Sequence, residues 1–162
     1  MSSPDLSNPS ADAMPGPYIR RLQQIAVALF LQETEGFGIT AVQYGALLAV
    51  SRQPGLDQRS LAALIGLDTS TTAGVVDRLE GRGLLSRSAS PHDRRVKLLS
   101  VLPDGEALLA DIAPHVQRAQ VRMLAPLPES ERPAFMRMLR TLVDANNDAS
   151  RAPAEGQQAF RE

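Results

Sequence analysis

Cysteine and tryptophan are missing from this 162-residue sequence, and Phe and Tyr together supply only 4% of it. Without a thiol the chain forms no disulfide, offers no thiolate to a metal and senses no oxidant by thiol chemistry. The two histidines, His92 and His115, stand far apart and are too few for a metal centre. No apolar run approaches the roughly 20 residues that a membrane span requires. The opening MSSPDLSNPSADAMPGP has neither the basic start nor the apolar stretch of a secretory signal. A Gly-rich phosphate loop is also lacking, and the adjacent His92 and Asp93 have neither an enclosed pocket nor a nucleophile beside them. The expectation is a soluble cytoplasmic protein that is not an enzyme, with no metal, no cofactor and no membrane partner.

What is present is aliphatic. Hydrophobic residues reach 43%, so Leu, Val, Ile and Ala must fill the core. The length suits one domain, or one domain with a dimerisation arm. A net charge of −1 argues at first sight against nucleic acid, but phosphate is bound by a local patch and not by a total. Between Arg78 and Lys97 there are six basic residues (Arg78, Arg82, Arg87, Arg94, Arg95, Lys97) against two acidic ones, Glu80 and Asp93.

Residues 1–16 hold little to bury and read as a disordered tail. From Pro17, placed at a first helical position, Ile19, Leu22, Ile25 (or Ala26), Leu29 and Phe30 recur at helical spacing until GFG at 36–38. Thr40 caps a short, largely buried helix, and PGLD at 54–57 reads as a turn. Asp57 caps a helix that buries Leu61, Leu64 and Ile65 and stops at Gly66. Asp68 caps the next, which buries Ala73, Val76 and Leu79 before GRG at 81–83. Two short helices joined by a tight Gly-containing link make a helix-turn-helix. LLSRSA, the polar SPHD and RRVKLLSVL then read as a hairpin, the wing of a winged helix. Two further helices follow, the first with a bend expected near Pro114, the second with Phe135, Met138, Leu139 and Leu142 on one face. Residues 149–162 read as a frayed tail.

The fold class is therefore mainly α with a small β-hairpin: a winged helix-turn-helix core over about 40–102, with flanking helices over about 17–35 and 103–148. Those flanking helices carry more apolar surface than a small winged helix covers, which a homodimer explains economically.

The exposed face at the start of the second turn-linked helix is expected to be Thr69, Ser70, Thr71 and Thr72, whose hydroxyls reach phosphates and base edges. Such residues are equally good ones near any helix start. The free N–H groups there attract phosphate, and Arg78 further along can reach the DNA backbone. The wing tilts the balance toward DNA. A slender tip bearing Arg94 and Arg95 fits the narrow, electronegative minor groove, with Asp93 holding a guanidinium extended.

The stretch LAALIGLDTSTTAGVVDRLEGRGLLSRSASPHDRRVKLLSVLPDG resembles the winged-helix core of MarR-family transcriptional regulators. The matching features are L-x-x-L, D-R-L-E-x-x-G-L-L-x-R, the D-x-R of the wing and the following P-x-G, and the resemblance covers about 20–145. It implies a homodimer with intertwined terminal helices that binds a pseudo-palindromic double-stranded operator, one recognition helix per half-site. It makes Asp93 and Arg95 the motif pair, with Arg95 in the minor groove and Arg94 on a phosphate. The family usually has Thr before P-x-G, where this chain has Leu102, so either Asp104 supplies the cap or the helix start shifts.

The resemblance further implies a repressor released by a small aromatic acid bound between the winged helix and the dimerisation helices. Candidate effector residues are Arg20 or Arg21 for the carboxylate, with Gln43, Tyr44 and His115. ITAVQYGALLAVSRQPGLDQ is similar to regulators of aromatic-compound degradation, including nicotinate-pathway repressors, which suggests a hydroxylated benzoate or nicotinate. The rival reading is a winged helix that contacts protein instead of DNA.

Overall fold

A computed structural model describes residues 14–146. Eight elements follow in order: α1 (Pro15–Glu33), α2 (Ala41–Arg52), α3 (Gln58–Ile65), α4 (Thr69–Gly81), β1 (Leu85–Ala89), β2 (Lys97–Val101), α5 (Pro103–Leu124) and α6 (Arg132–Ala145). Most of the two expected tails falls outside the described residues. The exception corrects a boundary: α1 begins at Pro15, with Met14 as N-cap, so Pro15 and Gly16 are helix and not tail. Pro15 loses nothing at this first position, where its N–H would have no helical partner, and Pro17 still lies within the first turn. Among the described residues no helix is long and apolar enough to cross a membrane.

Local chemistry explains the helix starts. The side chains of Thr40, Asp57 and Asp68 each accept from the backbone N–H three residues on, those of Gln43, Ser60 and Thr71. Gly66, at φ 68°, closes α3 in the left-handed region and lets Leu67 N–H return to Ala62 O, so α4 starts almost at once. The helix-turn-helix thus needs only three linking residues, Gly66, Leu67 and Asp68.

The core lies where α2, α3, α4, the hairpin and α5 meet. Leu47, Val50, Leu61, Val76, Leu79, Leu85, Leu99 and Ile112 are fully buried there. β1 and β2 pair antiparallel with Leu85 opposite Val101 and Ala89 opposite Lys97. The segment expected as a turn at 54–57 does more than turn. Gly55 N–H donates to Leu99 O, Leu99 N–H donates to Leu56 O, and Asp57 bridges Leu98, so this segment edges the hairpin on its β2 side. Arg94, Arg95 and Val96, read from sequence as the start of the second strand, belong to the tip instead.

The doubtful start of α5 is settled by packing. Pro103 opens the helix, Leu102 is its N-cap without a side-chain bond, and Asp104 lies in the first turn without capping. Leu102 N–H donates to Leu84 O at 2.9 Å, which ties the helix start to the hairpin base. The helix then runs as one segment past Pro114. A Cβ placed on Gly105 would overlap the Leu84 carbonyl and stand 2.6 Å from Val101 Cγ1. Only hydrogen fits there.

α5 returns along α1, and the pair is latched by charge. Arg118 Nε donates to Glu33 at 3.0 Å, Arg122 Nη1 donates to its other oxygen at 2.8 Å, and Arg122 Nη2 donates to Gln32. The hydrogen bonds from Arg122 and then Arg118 hold the Glu33 carboxyl below its usual range. α6 buries none of its residues, and Met138, Leu142 and Val143 on it are exposed, as are Tyr18, Ile19 and Leu31 on α1.

Two expectations follow for stability. Gly105→Ala should destabilise the fold by about 1–3 kcal/mol through overpacking, read as a lower urea midpoint. A carboxyl whose folded pKa is depressed stabilises above its unfolded value and stops doing so as pH falls through the folded one. The stability difference between wild type and Glu33→Gln should therefore be present at neutral pH and shrink once pH drops below 4.5, the ordinary glutamate value. An unchanged difference at pH 3 would mean the latch contributes nothing.

Candidate nucleic-acid interface

α4 presents its first turn outward. Thr69, Ser70 and Thr71 are exposed, while Asp68 is occupied as the cap: Thr71 N–H and Thr71 Oγ1 donate to its two carboxylate oxygens at 2.8 and 2.7 Å. The Thr71 bonds, backbone first, hold Asp68 below the usual carboxylate range. Thr72 does not belong to this face. It is 0% exposed, and its hydroxyl donates to Asp68 O at 2.9 Å. The reason is periodicity: Thr72, Val75, Val76 and Leu79 form the buried stripe of α4. That spacing was visible in the sequence, but four consecutive hydroxyl residues looked like one polar face.

Of the six basic residues between Arg78 and Lys97, two are consumed within the fold. Arg87 on β1 pairs with Asp77 at 2.7 Å and with Glu80, so one guanidinium ties the wing to the far end of α4. The Arg87 hydrogen bond holds Glu80 below the usual carboxylate range. Arg82 donates to Gly38 O at 2.6 Å and to Phe37 O at 3.2 Å, fixing the α1–α2 loop to the end of α4. Arg78, Arg94, Arg95 and Lys97 are exposed, and among the described residues none of the four pairs with a carboxylate.

The wing tip is braced from inside. Ser90 N–H donates to Val96 O at 2.9 Å across its base, and Val96 N–H donates back to Asp93 O at 3.0 Å. Asp93 Oδ1 accepts from the backbone N–H of Arg95 at 2.9 Å. This corrects the expectation that Asp93 extends a guanidinium: it shapes the turn, in the manner of Asx turns, and leaves both arginine side chains to solvent. Between the starts of α3 and α4 and this wing lies an open cleft of about 250 Å³, lined by Asp57, Gln58, Arg59, Thr69, Arg95, Val96 and Lys97. Arg59 was not singled out from the sequence, because nothing local links position 59 to a wing nearly forty residues later.

The residues considered for an effector fall into two groups. Arg20 and Arg21 are exposed on α1, and no contact joins them to Tyr44 or His115 among the described residues. Gln43, Tyr44 and His115 already have partners. Gln43 Oε1 accepts from Thr40 N–H at 3.0 Å, completing a capping box and leaving less of it for a ligand. Tyr44 is half-buried with its ring 5.8 Å from Phe30, and burial pushes its phenol pKa up. His115 Nδ1 lies 2.8 Å from Glu33 O and 2.7 Å from Arg118 Nη2, with Phe37 against its ring edge. Arg118, Arg122 and Glu33 were missed. The i, i+4 spacing of the two arginines on α5 was the available signal, though it could not name the partner on α1.

The sequence profile of the MarR family matches residues 39–97. A putative transcriptional regulatory protein for the hcr operon of Thauera aromatica is 36% identical over 128 residues, 78% of this chain and 77% of that one. The HTH-type transcriptional repressor NicR of Pseudomonas putida is 29% identical over 134 residues, covering 83% and 85%. The structure of Bordetella bronchiseptica BpsR, described for regulation of its DNA binding by 6-hydroxynicotinic acid, is similar with a TM-score of 0.80. It is 30% identical, over 85% of this chain and 99% of that one.

The bracing of the tip can be tested without DNA. Asp93→Ala should raise the hydrogen-exchange rate of the Arg95 amide, whereas Asp93→Asn, which keeps an acceptor oxygen, should largely preserve its protection. Equal protection in all three proteins would remove Asp93 from the turn.

Proposed function

We propose, from the premise that this chain belongs to the MarR family of transcriptional regulators, that it is a homodimeric repressor released from DNA by a small aromatic carboxylate. The observation that carries the DNA part is the wing tip: Arg94 and Arg95 are exposed and unpaired among the described residues, on a turn whose own acidic residue is spent on the backbone. A guanidinium left free on a braced turn can enter a minor groove without first breaking an ion pair, and narrowness there concentrates negative potential. Thr69, Ser70 and Thr71 enter the adjacent major groove at the start of α4, and Arg78 reaches a phosphate further along. Thr72 takes no part.

The apolar faces of α1 and α6 support the dimer, since Tyr18, Ile19, Leu31, Met138, Leu142 and Val143 are too much exposed apolar surface for one chain to leave in water. For the effector, the 6-hydroxynicotinic acid of the similar BpsR structure supports a hydroxylated nicotinate, and a hydroxylated benzoate is the aromatic carboxylate of like shape. Arg20 or Arg21 supplies the carboxylate's counter-charge, while Tyr44 and His115 lie toward the other end of α1, against Phe30 and Glu33. Ligand binding favours a dimer whose two α4 helices no longer match half-sites one helical turn apart. The protein acts in the cytoplasm, on the nucleoid.

Fluorescence anisotropy with DNA from upstream of its own gene, at several salt concentrations, tests this reading. Wild type should bind tightly with a steep salt dependence, and Arg95→Ala should lose on the order of tenfold in affinity or more. Adding 6-hydroxynicotinate or a hydroxybenzoate should release the DNA. A ligand that binds tightly yet leaves DNA affinity unchanged would sink the release mechanism.

A further inference from the structure

We propose that the cleft between α3, α4 and the wing is the passage for one sugar–phosphate backbone of DNA, and that Arg59 and Lys97 clamp its phosphates. This inference rests on the DNA-binding reading above and adds two residues to the contact surface. Its basis is the shape of a duplex. The strand that divides a major groove from the neighbouring minor groove must run between whatever occupies the one and whatever occupies the other. With the first turn of α4 in the major groove and the wing tip in the minor, that strand crosses the space between Thr69 and the wing. The cleft of about 250 Å³ occupies that space, with Arg95 and Lys97 lining it from the wing and Arg59 from α3.

The charge of the cleft suits this occupant. Three cations line it against one carboxylate, that of Asp57. Asp57 is engaged as the cap of α3: its oxygens accept from Ser60 N–H at 2.9 Å and from Ser60 Oγ at 2.6 Å. Arg59 and Lys97 are exposed, and among the described residues neither pairs with a carboxylate. Both also project from regular structure. Lys97 opens β2 opposite Ala89, and Arg59 is the second residue of α3, a helix anchored by buried Leu61 and Leu64. Arg94 and Arg95 ride a turn, whereas Arg59 and Lys97 keep fixed places on the scaffold. Fixed charges against a backbone set register without reading sequence.

The clamp therefore has a signature that a base-reading contact lacks. Arg59→Ala and Lys97→Ala should each weaken binding to upstream DNA and to a mixed-sequence duplex by a similar factor, on the order of tenfold. Each should also make the slope of log affinity against log salt shallower by about one per half-site. Arg59→Lys, which keeps the charge, should recover most of the slope, and Arg137→Ala on α6 should leave it as in wild type. Thermal melts of the same proteins establish that each is folded. If wild type binds both duplexes and the Arg59 and Lys97 variants keep its affinity and slope, the clamp is overturned and the regulator stands. If wild type binds neither duplex, both are overturned. A loss confined to upstream DNA, with mixed-sequence binding intact, would assign these residues to base reading and overturn the backbone passage.

Discussion

One guanidinium ties the wing to α4 across the surface of their shared core. Arg87 leaves β1 and pairs with Asp77 and Glu80, one turn apart on α4. Its side chain is 29% exposed and that of Asp77 60%, so in energy this is close to a surface ion pair, worth about 0–1 kcal/mol. Burying Leu85 and Leu99 beneath it stabilises far more, about 1.5–3 kcal/mol for each side chain. Packing thus keeps the hairpin folded against α4, while the ion pair adds a directional tie between the two. For the docking proposed above, with one element in each of two neighbouring grooves, the angle between them is the quantity that matters.

This also gives the family motif a physical content. D-R-L-E-x-x-G-L-L-x-R is, read through the structure, the two acids of α4, the arginine that joins them to the wing, and a buried Leu79 between them. P-x-G is the close approach of α5 to the Leu84 carbonyl, which admits no Cβ. The resemblance was recognisable from letters alone. What the letters do is hold three elements, α4, the wing and α5, in one arrangement.

Features set by neighbours in the chain were the most legible. The caps at Thr40, Asp57 and Asp68, the glycine stop at Gly66 and the hairpin each depend on contacts a few residues apart, or on alternation that is plain in sequence. The errors came where one residue type serves two purposes. Thr72 looked like its hydroxyl neighbours but continues an apolar stripe. Asp93 looked like a partner for a guanidinium, yet a backbone N–H two residues on is nearer. Long-range partners left no trace at all. Gly55–Asp57 lies along β2, Glu33 joins α1 to two arginines more than eighty residues later, and Arg59 shares a cleft with Lys97.

Arg82 grips the α1–α2 loop by two main-chain carbonyls, those of Phe37 and Gly38. A grip on backbone is blind to what the loop displays. A change at position 37 would cost the ring its contacts with His115 and the core, yet leave both bonds to Arg82 in place. The joint between loop and helix thus answers to main-chain geometry alone, and the packing beside it is a separate matter.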